Sequence, residues 1–172
     1  MIKESVLKAL SDQVNAEYFS AYLYLGMSAH ADRAGFKGVA NWLFIQAKEE
    51  MAHGTHIYQY ILERGAAPAF TDIKAPQLSF GSIKDVFDRV LAHEQGVSDR
   101  INKIASLARD EGDHAAYNFI MWYVNEQVEE EASVEEIIAK VNLTENNSGL
   151  LYSIDAELGG RTFTDPFAGN AS

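Results

Sequence analysis

The chain has 172 residues, 47% of them hydrophobic, which suits one domain with a sizeable core. Its formal net charge of -11 argues against nucleic acid as a partner and favours cations. There is no cysteine, so disulfide and thiol chemistry are excluded, and no apolar run reaches the length of a membrane span.

The first residues, Met1-Ile2-Lys3-Glu4-Ser5, lead into a helical pattern without a signal-peptide core, so a cytoplasmic protein with no membrane partner is expected. A first helix is predicted over residues 5 to 34, with the seam Leu7, Leu10, Val14, Glu17, Ala21, Tyr24, Ser28 and a stop at Gly35. A second runs over 36 to 64 and stops at Gly65; Leu43, Glu50 and Ile57 recur along it every seventh residue. The link between them is a residue or two, so they are antiparallel neighbours.

Residues 66 to 82 hold Pro68, Pro76 and Gly81 and lack helical periodicity, which reads as a long connection. A third helix opens at Ser82, with Asp85 placed for a capping box, and its seam is Ile83, Phe87, Val90, Glu94, Val97, Ile101, Ile104, Ala108. Gly112 breaks it and Asp113 can cap a fourth, whose seam is Ala116, Ile120, Tyr123, Gln127, Glu130, Val134, Ile137, Val141. A short fifth helix is predicted over 147 to 158, with Leu150, Leu151, Ile154 and Leu158 on one side. The tail, 159 to 172, reads as irregular and frayed. Every period is helical, so the fold class is all-α, with residues 1 to 172 as a single domain and the bundle over about 5 to 141.

Connection lengths set the topology. A 29-residue helix is roughly 43 Å long, and seventeen extended residues reach about 56 Å. The second connection can therefore cross the whole bundle and leave the second and third helices parallel.

Each seam is interrupted near its middle by Glu17, Glu50, Glu94, and Gln127 with Glu130. His53, three residues from Glu50, projects from the same face. In a bundle of equal-length helices these breaks share one layer. A polar network that fixes register, or a cluster of shared protons, competes with metal binding as the explanation. Like charges and desolvation weigh against both alternatives, and cations resolve them. Four carboxylates and one imidazole suit iron or manganese, and five ligands suffice for two ions bridged by one carboxylate.

The stretches Asn15-Ala16-Glu17, Ser20-Ala21-Tyr22-Leu23-Tyr24, Glu49-Glu50-Met51-Ala52-His53, His93-Glu94 and Trp122-Tyr123-Val124-Asn125-Glu126-Gln127-Val128-Glu129-Glu130-Glu131 resemble non-haem ferritins of the prokaryotic type. The resemblance covers residues 5 to 158 and implies the ferritin-like four-helix bundle with one long crossover. It implies a first iron site of Glu17, Glu50 and His53, and a second of Glu50, Glu94 and Glu130 with Gln127 beside it. A third, weaker site of Glu49, Glu126, Glu129 and Glu130 is implied too, with Tyr24 and Trp122 close to the pair. Where bacterioferritins and rubrerythrins have a histidine, this sequence has Glu130, and the haem-binding methionine is replaced by Ala52 with Met51 one position away, so no haem is expected.

The implied function is iron storage with ferroxidase activity: Fe(II) oxidised by dioxygen or peroxide at two ions per subunit, then stored as ferric mineral inside a homo-oligomer of twenty-four subunits. A di-iron oxidase or peroxidase that keeps its metals is the alternative, and a purely structural bundle a third class. His114, beside Glu111 and Asp113, is a candidate for lining an ion channel. The apolar side of the fifth helix is expected to meet copies from other subunits.

Overall fold

A computed structural model describes residues 2–144 and 147–168. Among these, the regular structure is five helices and no strand: α1 (Glu4–Arg33), α2 (Lys37–Glu63), α3 (Ile83–Asp110), α4 (His114–Asn142) and α5 (Ser148–Leu158). The breaks fall where the sequence places them. Gly35, Gly65 and Gly112 follow α1, α2 and α3 in the left-handed region, φ 90, 73 and 70°, where a Cβ would be strained. Ser82 and Asp85 form the expected capping box, and the Asp113 carboxylate accepts from the Ala116 amide at 3.1 Å.

The apolar seams pair the helices into two hairpins, α1 with α2 and α3 with α4. Two hydrophobic clusters form. One joins Tyr24, Met27 and Ala31 of α1 to Val39 and Leu43 of α2, Ile83, Phe87 and Val90 of α3, and Val134 and Ile137 of α4. The other joins Val6, Leu10 and Val14 to Ile57, Ile61, Val97, Ile101, Ile104, Ala116 and Ile120. The first half of α2 and the first half of α3 thus share one cluster, and their second halves share the other. The two helices are parallel, and the 66–82 connection crosses the length of the bundle.

That crossover is held along α1. Asn15 Nδ2 donates to the Ala69 carbonyl at 2.8 Å, and the Thr71 amide donates to Asn15 Oδ1 at 2.9 Å. Further along, Gly26 lets the Pro76-Gln77 backbone approach, since a Cβ there would meet Gln77 O at 3.0 Å.

The fifth helix docks on its own bundle, which corrects part of the expectation. Leu158 is buried, and Leu151 and Ile154 pack against the Tyr24 cluster; Leu150 stays half exposed. Asp155 Oδ1 accepts from the Val39 amide at 2.8 Å, so a carboxylate of α5 satisfies a free donor in the first turn of α2. No described helix is long and apolar enough to cross a membrane.

Candidate metal centre

Between the two apolar clusters lies a layer of buried polar side chains: Glu17, Glu50, His53, Glu94, Gln127 and Glu130. Glu17 comes from α1, Glu50 and His53 from α2, Glu94 from α3, and Gln127 and Glu130 from α4. Carboxylates in this position are costly unless something neutralises them.

Glu17, Glu50 and His53 converge. Each offers one ligand atom, and the three atoms lie within 4.8 Å of one another. Metal bonds of about 2.1 Å keep opposite donors about 4.2 Å apart, so a small closure brings all three onto one ion. His53 Nδ1 stands 3.9 Å from Glu50 Oε2, and Nε2 is buried with no partner. Gln13 Nε2 donates to Glu17 Oε1 at 2.9 Å and orients it.

The expected second set occupies the same layer, but Glu50, Glu94 and Glu130 do not close to that range. Glu94 and Glu130 are turned to protein donors. The Tyr24 hydroxyl donates to Glu94 Oε1, and Gln127 Nε2 donates to Glu94 Oε2 at 3.0 Å. Gln46 Nε2 donates to Glu130 Oε2 at 2.9 Å. Each carboxylate oxygen has two lone pairs, so these bonds leave room for a cation on both groups.

The electrostatics fit that reading. Burial, followed by the charges of Glu17 and Glu94, pushes the Glu50 carboxyl well above the usual range. Burial and then Glu130 push Glu94 up to about 7. The Tyr24 phenol is also raised, first by burial and then by Glu94. A site that binds protons so readily has too much negative charge for its surroundings. A cation would take the protons' place.

Residues 7–144 match the family model of the ferritin-like domain. The chain is 41% identical over 165 residues to a bacterial non-heme ferritin of Staphylococcus aureus strain MRSA252, covering 96% of this chain and 99% of that protein. The corresponding protein of Staphylococcus epidermidis is 39% identical over the same length and coverage. The chain belongs to the ferritin family. An open-pore ferritin from the archaeon Archaeoglobus fulgidus superimposes with a TM-score of 0.93 at 39% identity, over 94% of this chain and 100% of that one. An engineered closed form of the Archaeoglobus fulgidus ferritin gives the same score at 40% identity, over 95% and 100%.

In this ferritin the remaining acids, Glu49, Glu126 and Glu129, sit beside the layer on α2 and α4. Burial raises Glu49 to about 7 against the pull of Arg161. Burial, then Glu130 and Glu129, raise Glu126 to the same level. Glu129 is exposed. Trp122 packs its ring 5.6 Å from His53, as the resemblance implies.

The tail corrects the expectation of fraying. Arg161 Nη2 donates to Glu49 Oε2 at 2.5 Å, and Phe167 stacks on His56 with ring centroids 3.7 Å apart. The rest of the tail, residues 169–172, lies outside the described residues. Near the α3–α4 hairpin, Asp113 is committed to Arg64 at 3.0 Å and to its cap, and Glu111 accepts from Ser5 at 3.0 Å. Only His114 of the suggested channel residues is exposed without such a bond.

Sequence reasoning missed Gln13, Gln46, Arg161 and Phe167. Gln13 and Gln46 each precede a seam carboxylate by four residues, a readable spacing that the search for acids passed over. Nothing in the sequence marks Arg161 or Phe167.

Proposed function

We propose that the chain is an iron-storage ferroxidase. Fe(II) is its substrate and ferric mineral its cargo. The observation that carries the reading is the buried convergence of Glu17, Glu50 and His53 within 4.8 Å, in a family whose curated relatives bear the name non-heme ferritin. Glu17, Glu50 and His53 hold one ion. Glu50, Glu94 and Glu130 hold the second, and Glu50 bridges. Glu49, Glu126, Glu129 and Glu130 are assigned to a weaker third position.

The protein's contribution is positioning and charge. Two ferrous ions each give one electron to dioxygen, which takes two protons and leaves as peroxide. Hard carboxylate oxygens favour the more highly charged product ions. Gln13, Gln46, Gln127 and Tyr24 hold Glu17, Glu130 and Glu94 by donating to them, so these three carboxylates are oriented before an ion arrives and only a closure of the layer remains. The second position has no nitrogen ligand, which weakens retention there and suits transfer onward into a store. The store is a shell of twenty-four copies in the cytoplasm.

Anaerobic loading with Fe(II) followed by air tests this. A transient absorbance at two irons per subunit, then growth of a soluble ferric product over hundreds of irons per assembly, is the expected course. Oxidation that stops at two irons per subunit would make the protein an oxidase that keeps its metals.

A further inference from the structure

Ionised, the buried carboxylates of Glu17, Glu50, Glu94 and Glu130 match the charge of two divalent cations. Any further ligand that keeps this buried balance has to be neutral. The first ion has one in His53. The set assigned to the second, Glu50, Glu94 and Glu130, has none.

Among the described residues, three side-chain atoms are buried with no hydrogen-bond partner: Gln46 Oε1, His53 Nε2 and Arg161 Nη1. The first two flank Glu50 on α2. His53 lies three residues beyond it and Gln46 four residues before it, about 4.5 and 6 Å along the axis in opposite directions. Their spacing of seven keeps both on one face of the helix. Gln46 is completely buried, and its Oε1 is a carbonyl oxygen with both lone pairs free. An acceptor in that state is rare in a packed interior.

Charge fixes the orientation of this amide. Gln46 Nε2 donates to Glu130 Oε2 at 2.9 Å. Turned the other way, the carbonyl would face an ionised carboxylate with no proton between two acceptors. The amide oxygen and nitrogen share one carbon and stand about 2.3 Å apart, so Oε1 lies within about 5 Å of Glu130 Oε2. Rotation about the last torsion of a glutamine is soft. Gln127, the other amide beside Glu94 and Glu130, is held differently. Its Nε2 donates to Glu94 Oε2 at 3.0 Å and to the Glu94 carbonyl at 3.2 Å, and its oxygen is not orphaned.

We propose that Gln46 is a ligand of the second cation: its carbonyl oxygen completes the Glu50, Glu94 and Glu130 set with a neutral hard donor, as His53 completes the first set with a neutral nitrogen. The proposal rests on the paired site described above. In the metal-free protein Gln46 Nε2 keeps Glu130 in place. When a cation arrives, Glu130 turns its oxygen to the ion and the amide rotates to present Oε1. A neutral oxygen suits iron or manganese better than softer metals. It also adds no charge, so the second ion stays exchangeable.

The test uses assembled full-length protein and zinc, which does not change oxidation state. A crystal structure of the zinc-loaded wild type is expected to place Gln46 Oε1 about 2.1 Å from the second ion. In calorimetric titration, Gln46→Met keeps the volume and loses both polar atoms. It is expected to weaken the second equivalent about tenfold, the low end of the loss when a group supporting a metal site is removed, and to leave the first unchanged. Gln46→His distinguishes a ligand from a group that only orients Glu130. Imidazole is a stronger-field donor than oxygen, so with cobalt(II) as the probe the visible bands of the second equivalent are expected to move to shorter wavelength than in the wild type. A second zinc held by Glu50, Glu94 and Glu130 alone, with Gln46 still turned to Glu130, overturns the proposal. Unmoved cobalt bands in Gln46→His, or a second equivalent indifferent to Gln46→Met, overturn it too, and all three results leave the paired site standing. A wild type that binds only one zinc per subunit overturns the paired site and the proposal together.

Discussion

Glu50 feels the charges of Glu17, Glu94 and Glu130 together, all of them acting to keep it protonated. In the proposed arrangement it is the carboxylate shared by the two ions. Glu50→Ala is expected to abolish rapid Fe(II) oxidation while leaving a folded, assembled protein, because removing one of several crowded buried acids relieves repulsion in the metal-free form. Unchanged initial rates in stopped-flow oxidation would remove Glu50 from its bridging role. His53→Ala and Glu130→Ala separate the two ions. His53 converges with Glu17 and Glu50 and is proposed for the first ion alone, whereas Glu130 lies outside that group and accepts from Gln46. Glu130→Ala is expected to retain one tightly bound ion in a titration with zinc, and His53→Ala to lose that ion. Equal loss in both variants would mean that the layer binds as one unit.

At the scale of elements, the junction of α2 and α5 is the tightest. A Cβ on Gly38 would sit 1.5 Å from the Asp155 carbonyl oxygen, and Gly159 is in contact from the other side. Backbone meets backbone there, so no side chain can move aside. Gly38→Ala is expected to displace α5 from the bundle end and cost about 3 kcal/mol or more in chemical denaturation. A stability within error of the wild type would show that α5 is loosely held. The same junction explains why the leucine stripe of α5 divides. The Asp155 bond to Val39 sets the rotation of the helix, which turns Leu158 and Ile154 onto the bundle and leaves Leu150 outward.

Across the whole molecule, the buried acids make metal-free stability depend on pH with a definite sign. Glu94, Glu49 and Glu126 are raised to about 7 and Glu50 is raised well above its usual value, so between about pH 4.5 and 7 the native state binds more protons than the unfolded chain. Their contribution is full below that window and is lost as pH rises through it. His93 works in the opposite sense. Burial lowers it to about 4, so its contribution is lost as pH falls below about 6.5. The acids outnumber it. The metal-free protein is therefore expected to melt higher at about pH 5.5 than at about pH 7.5, and saturating zinc to reverse the order, since metal replaces the protons. Calorimetry at the two pH values checks this; an apo-protein equally stable at both would mean that the layer is already neutralised. Assembly is the other property of the whole molecule. A shell of 24 chains of 19.1 kDa has a mass of about 460 kDa, expected by light scattering with or without iron. A monodisperse dimer would end the storage reading.

Periodicity alone was enough to derive the four long helices, their glycine stops and the parallel α2–α3 crossover, because helix length, link length and apolar spacing are local properties of the chain. The layer of Glu17, Glu50, His53, Glu94, Gln127 and Glu130 was legible for the same reason: a charged residue on an apolar seam stands out. What the sequence could not carry is which donor each carboxylate faces. Gln13 and Gln46 are ordinary polar residues until packing buries them against Glu17 and Glu130. The tail shows the limit most plainly. Arg161 and Phe167 lie in a stretch without periodicity, more than a hundred residues from Glu49 and His56. Their partners are selected by the groove between α2 and α4, a surface that exists only once the helices have packed.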